Sequence, residues 1–264
     1  MKKYVYVFKL SLLSSLEYKV DFFFSILGAF LPIVIQYFMW RSIFEASGDA
    51  IVFGYTFQQM LMYTVFSAMI SKIISSGIQF EISNDIKHGQ LSSFLYRPAS
   101  YTLYKISSYL GGKAVYLTIS FLIIYTVLIA FNIDIATSGL RFPVFVLALV
   151  FAFVLNFLIY HIISSLAFWL DEIWYFYFAM GFLITLLSGG IFPLDIFGKT
   201  VSSLASFLPF TYTIFFPVNI INGRYEMNEI LTGLGLQLTW IVIMSVVSRI
   251  CWGLGNKKYS AVGG

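Results

Sequence analysis

Long uncharged apolar runs constrain this chain more than any other feature. Residues 22–40 read FFFSILGAFLPIVIQYFMW, without a single charge. Such a run has no place on a water-soluble surface. About 20 apolar residues in a helix do, however, cross the roughly 30 Å hydrocarbon core of a bilayer. The pattern recurs at residues 55–78, 114–131, 142–169, 173–187 and 230–252. Together these read as six transmembrane helices of an all-α, polytopic membrane protein. Composition agrees, because charged residues are only 11% of the 264, against roughly a quarter in soluble domains. Residues 1–264 therefore read as a single membrane domain.

The first twenty residues differ in kind. Val5, Phe8, Leu12, Leu16 and Val20 recur at helical spacing, while Lys9, Ser14, Ser15, Glu17 and Lys19 lie mostly elsewhere on the wheel. This predicts an amphipathic helix in the membrane interface. No small-x-small cleavage site follows Lys2 and Lys3, so a removable signal peptide is not expected.

Orientation follows from basic residues near the span ends. With six spans, Lys2, Lys3, Lys9, Lys19, Lys72, Lys87, Arg97, Lys105, Lys113, Arg249, Lys257 and Lys258 fall on one side. Arg41, Arg141, Lys199 and Arg224 fall on the other. Both termini are therefore expected in the cytoplasm. The basic residues are scattered and form no stripe, so nucleic acid is not an expected partner.

Little in the sequence suggests catalysis. Cys251 is the single cysteine, which excludes an intrachain disulfide and a four-thiolate metal site. Gly198-Lys199-Thr200 imitates the end of a phosphate-binding loop, but the position of its partner glycine holds Pro193. His88 sits in a loop and His161 within the fourth span, the latter read as an interior hydrogen-bonding residue. Lys72 lies inside the second span and is expected to reach back to the interface. The acidic residues all fall in loops or at span ends. Proton or sodium coupling normally uses carboxylates near the midplane, so energy for any transport is expected from elsewhere.

Two segments are not spans. The cytoplasmic stretch 81–105 carries Glu81, Asp85, Lys87, Arg97 and Lys105 and is broken by Gly89 and Pro98. It predicts one or two short helices at the membrane surface. The external stretch 188–224 is too apolar for an ordinary loop, yet Gly189, Gly190, Pro193, Gly198, Pro209 and Pro217 interrupt it. Apolar but interrupted chain predicts a re-entrant pair of short helices, covered by protein where the backbone is irregular.

This order of parts resembles the membrane subunit of type-2 ABC exporters, the ABC-2 permease family, in its short-permease subgroup. Ile86-Lys87-His88-Gly89-Gln90-Leu91, then Leu95-Tyr96-Arg97-Pro98, is similar to the family's cytoplasmic I-x-x-G-x-L … L-x-R-P signature. Ser188-Gly189-Gly190-Ile191-Phe192-Pro193-Leu194, then Leu208-Pro209-Phe210 and Asn222-Gly223, is similar to its external G-x-x-F-P-L … P-F … G hairpin. The resemblance spans essentially the whole chain.

The resemblance implies a non-catalytic permease of an ATP-driven exporter in a prokaryotic cell membrane. It would pair with a second permease chain, identical or paralogous, within membrane lipid. ATP and Mg would be bound by separate ABC ATPase subunits, and this chain would hold no cofactor. It also implies that Asp85, Lys87, His88, Gly89, Gln90 and Arg97 form the ATPase-coupling contact. Gly189, Gly190, Pro193 and Pro209 would shape an external gate. The cargo expected is amphiphilic or hydrophobic: a drug, an antimicrobial peptide or a lipid-linked product. The competing readings are a non-transporting scaffold or immunity protein, and an ion-coupled carrier.

Overall fold

A computed structural model describes residues 2–17, 19–75, 77–95, 100–130, 141–170 and 173–259. Helix α1 (Lys2–Glu17) leads into α2 (Lys19–Ser47), which carries Pro32 within it. A two-stranded hairpin follows, β1 (Ile51–Val52) and β2 (Tyr55–Thr56), paired Ile51 to Thr56 and Val52 to Tyr55. Its two turn residues, Phe53 and Gly54, both have positive φ, as tight hairpin turns require. Apolar content alone had assigned Tyr55 to the second span.

Thr56 then caps α3 (Phe57–Ile74). Its hydroxyl accepts from the Gln59 N–H, and the Gln59 side chain accepts from the Thr56 N–H, closing a capping box. α3 stops at Ser75, and after Gly77 at φ +64° the chain resumes as α4 (Ile78–Lys87). A broken helix frees carbonyls, and in a membrane these need protein donors. Asn156 Nδ2 donates to the Ile74 carbonyl at 2.6 Å. Tyr109 Oη lies 3.0 Å from that carbonyl and 3.2 Å from that of Ser75.

After α5 (Ser92–Leu95) come α6 (Tyr101–Ala130) and α7 (Arg141–Ser165), the latter extended by a 3-10 turn at Leu166–Phe168. α8 (Trp174–Leu187) leads into a 3-10 turn at Leu194–Phe197, α9 (Lys199–Ser206), a second 3-10 turn at Pro209–Tyr212 and α10 (Phe215–Ile221). α11 (Met227–Lys258) closes the fold. Among the described residues the protein is all-α apart from the small hairpin.

Among the described residues, Phe57–Lys87, Arg141–Phe168 and Met227–Lys258 are long and apolar enough to cross a membrane. The pair Lys199–Ser206 and Pro209–Ile221, bent by 82°, makes a fourth if taken as one broken span. By length and composition this gives three or four spans where hydropathy predicts six. α8 has only 14 residues, short of the roughly 20 a crossing takes. Within residues 81–105 the described chain forms the end of α4 to Lys87, the short α5 and the start of α6 at Tyr101.

α7 lies at the centre, against α3, α4, α10 and α11. Buried amides tie these helices together. Gln237 of α11, fully buried, donates to the carbonyls of Ala148 on α7 at 2.9 Å and Tyr212 at 2.8 Å. Close approach depends on small residues: a Cβ at Gly233 would meet the Phe216 ring at 2.1 Å, and one at Gly255 the Phe168 ring at 2.1 Å.

Candidate functional site

Among the described residues, two polar clusters lie at the segments that interrupt the spans. On the side expected to face the cytoplasm, α4 is amphipathic. Ile78, Ile82 and Ile86 are buried, and Asp85 is on the same face, 9% exposed. A buried carboxylate needs a counter-charge. Lys105 of α6 supplies it, with Nζ 2.8 Å from Asp85 Oδ2 and 3.1 Å from Glu81 Oε2. Tyr101 Oη donates to the same Asp85 oxygen at 2.6 Å.

Burial opposes the Lys105 ammonium, but bonding to Asp85 and the field of Asp85 and Glu81 outweigh it. Lys105 therefore titrates above the ordinary lysine range. The Tyr101 ring stacks on Trp252 of α11 at 5.3 Å between centroids, 9° from parallel. Trp252 in turn sits 4.9 Å from the His161 ring of α7, whose Nδ1 is 2.9 Å from Ser248 Oγ. Asp85 is thus wired into α6, and through Tyr101 into α11 and α7.

The helix ends at a polar tip. His88 caps α4, and Gly89 turns the chain at φ +72°. The Leu91 N–H returns to the Asp85 carbonyl at 2.9 Å, and Leu91 is buried. The expected coupling residues therefore divide. His88 and Gln90 are exposed, Lys87 and Gly89 are half-buried, and Asp85 points inward. Arg97, with Tyr96 and Pro98, lies outside the described residues.

On the opposite side, Gly189 and Gly190 sit where α8 meets the broken segment. Gly189 has φ +75°, and a Cβ there would lie 2.6 Å from Tyr63 Oη. Tyr63 Oη, fully buried, donates to the Gly189 carbonyl at 2.6 Å. A Cβ at Gly190 would meet Ile214 and Thr185, each at 3.0 Å. The Phe215 N–H bonds the Ser188 carbonyl at 2.9 Å, bringing α10 back against the glycines. Pro193 is buried at the start of a 3-10 turn, next to Phe192, whose ring meets Trp40 edge-on at 6.0 Å. Pro209 opens the other 3-10 turn, on the far side of α9.

A charged cluster locks this segment to the hairpin before α3. Asp195 accepts from Tyr55 Oη at 2.8 Å and from Ser202 Oγ at 3.3 Å, and Arg224 Nη2 is 3.5 Å away. The Arg224 guanidinium lies 3.6 Å from the centroid of the Tyr55 ring and bonds the Gly54 carbonyl at 3.1 Å. Burial, then the Asp195 charge, push the Tyr55 phenol above its ordinary range. Sequence reasoning counted Asp195 and Arg224 only as loop charges. No local spacing joins residues so far apart in the chain.

With the two interruptions placed, the chain can be compared with known proteins. Residues 30–263 match the family model described as ABC-2 family transporter protein. The chain belongs to that family. No curated protein matches it. The match takes in both segments, so in this ABC-2 permease the α4 tip and the glycine turn at residues 189–190 belong to the family's own domain. As a transporter permease with long apolar helices, it is an integral membrane protein.

Proposed function

We propose that this permease is the membrane half of an ATP-driven exporter whose ATPase subunits are separate chains. The observation that carries this reading is the form of α4. At its polar tip His88 and Gln90 are exposed, while its inner face is fixed by Asp85 to Lys105 and Tyr101. A surface contact there is rigidly coupled to α6 and to the Trp252–His161 stack, so a push on the tip moves helices as bodies. Lys87, His88, Gly89, Gln90 and Arg97 form the ATPase contact, and Asp85 is the residue that transmits it. ATP and Mg are held by the ATPase, and this chain hydrolyses nothing.

Two permease chains, identical or paralogous, surround the path in a prokaryotic cell membrane, with both termini in the cytoplasm. The bent pair α9 and α10 is a re-entrant hairpin on the outer face, hinged at Gly189 and Gly190 and shaped by Pro193 and Pro209. The cargo is amphiphilic or hydrophobic.

Co-expression with a Walker-motif ATPase tests the reading. The expected result is a purified complex whose ATP hydrolysis in lipid vesicles rises with cargo. Lys87→Glu and Arg97→Glu should each release the ATPase while the permease keeps its melting temperature. Undiminished co-purification and transport in both variants would sink the assigned contact. A terminal tag accessible from outside intact cells would overturn the topology.

A further inference from the structure

Beside the first turns of α11 runs an open groove of about 350 Å³, within the range of about 300–1,000 Å³ typical of small-ligand sites. One wall is aromatic. Tyr212, Phe216 and Tyr225 form a run, with ring centroids 5.9 Å apart for the first pair and 5.8 Å for the second. Gly233 lets the Phe216 ring close onto α11, since a Cβ there would lie 2.1 Å from it.

The other wall changes character along α11. Asn228, Glu229 and Thr232 stand nearest the helix N-terminus, and Gly233 and Leu236 follow. From Glu229 to Leu236 the helix rises about 10 Å. Leu231 and Leu236 are exposed, so the apolar end of the groove opens towards the bilayer that α11 crosses. The groove therefore suits a molecule with a polar head and an apolar body.

Charge decides which head. Glu226 and Glu229 close a capping box: Glu229 Oε2 accepts from the Glu226 N–H at 2.8 Å, and the Glu226 side chain accepts from the Glu229 N–H. The box fixes the Glu229 carboxylate and uses one of its two oxygens. The helix N-terminus returns only about half a positive charge against the two carboxylates. Among the described residues no lysine or arginine pairs with either of them. Arg224, nearby in the chain, is held 3.5 Å from Asp195 and bonds the Gly54 carbonyl at 3.1 Å. The lining itself holds no basic side chain. Aromatic faces add to the bias, because they attract cations.

We infer that this groove binds a lipophilic organic cation drawn from the membrane, with its charge at Glu229 and its apolar body along Phe216, Tyr225 and Leu236. Binding is a property of the permease alone, so the site stands or falls separately from the export reading.

Equilibrium dialysis of the purified full-length chain in phosphatidylcholine nanodiscs tests it, with tetraphenylphosphonium and its anionic isostere tetraphenylborate as probes. Wild type should retain the cation saturably above empty discs, and the anion no more than empty discs do. Glu229→Gln keeps an acceptor for the capping box and should weaken cation retention about tenfold at an unchanged melting temperature. Asp49→Asn, which removes an exposed carboxylate outside the groove, should leave retention unchanged. Thr232→Trp should abolish it by filling the groove, and carries the test if Glu229→Gln does not fold. Saturable retention of the anion, or undiminished cation retention in the folded groove variants, would overturn the site. Loss of the bound cation when phosphatidylethanolamine replaces part of the phosphatidylcholine would assign the groove to a lipid amine and overturn the inference.

Discussion

Asp85 and Asp195 are held in the same way at opposite ends of the molecule. Each accepts a tyrosine hydroxyl and faces one basic side chain: Tyr101 and Lys105 for Asp85, Tyr55 and Arg224 for Asp195. Their surroundings differ. The side chains of the Asp85–Lys105 pair are 13% and 10% exposed and 2.8 Å apart. Those of Asp195–Arg224 are 30% and 25% exposed and 3.5 Å apart. A tight buried pair resists separation, because each charge would be left without water. A looser, wetter pair opens at little cost. One end of the protein is therefore held tightly and the other loosely, a contrast that under the proposed function suits the first to transmit force and the second to yield to it.

The sharpest test is to unbalance the buried pair. Lys105→Met leaves Asp85 charged, buried and bonded only to Tyr101. It should cost about 3–5 kcal/mol, the range for breaking a buried ion pair from one side. The measurement is the unfolding midpoint of the purified permease in denaturant-titrated micelles. Adding Asp85→Asn should recover most of the loss, because the stranded charge is gone. If Lys105→Met melted like the wild type, the contrast between the two ends would collapse. Raising the pH should also separate this pair from carboxylate-driven effects. Lys105 has a raised folded pKa, so its contribution is complete at neutral pH. It is lost only as pH climbs through and beyond the ordinary lysine range.

The glycine turn is the next most sensitive point. Gly189→Ala forces a side chain into φ +75° and towards Tyr63 Oη. Strain of this kind costs about 1–3 kcal/mol. Tyr63→Phe in the same background should return part of it by removing the hydroxyl in the way, a coupling that a double-mutant cycle reads directly. Strict additivity of the two changes would show that the clash is relieved elsewhere.

Parts of this arrangement were legible in the sequence and parts were not, for physical reasons. Hydropathy marks α7 and α11 well, since both are apolar helices with charges near their ends. Gly89 marks the α4 tip and Gly189 a true turn, because only glycine readily takes those positive φ values; Gly190 is marked instead by close packing on Ile214 and Thr185. In the cytoplasmic segment the sequence predicts short helices but not how they pack: Lys105 of α6 meets both Asp85 and Glu81 of α4, and hydropathy holds no record of that pairing. The signal for the inward face of α4 was present in Ile78, Ile82 and Ile86, spaced by four, with Asp85 one position from the stripe. No comparable signal could place Tyr55, Asp195 and Arg224 together. Their meeting is set by how α10 folds back against the glycine turn, and a single sequence does not encode that in any local period.

The smallest effect belongs to the outer cluster. Asp195→Asn keeps the shape and an acceptor for Tyr55 but removes the attraction for Arg224. It should cost only about 0.5–1 kcal/mol, as partly solvated pairs do. A stability assay will barely register it, so the informative readout is opening. A cysteine placed at exposed Ser203 of α9 can be labelled from outside with a thiol reagent, in a Cys251→Ser background. Labelling should quicken in Asp195→Asn and slow again in low salt for the wild type, where screening of the pair is weaker. The equivalent change at the buried end, Asp85→Asn alone, should leave that labelling rate alone while weakening ATP-driven transport. If both substitutions opened the outer face equally, the two clusters would be parts of one lock, and the division between a transmitting end and a yielding end would not stand.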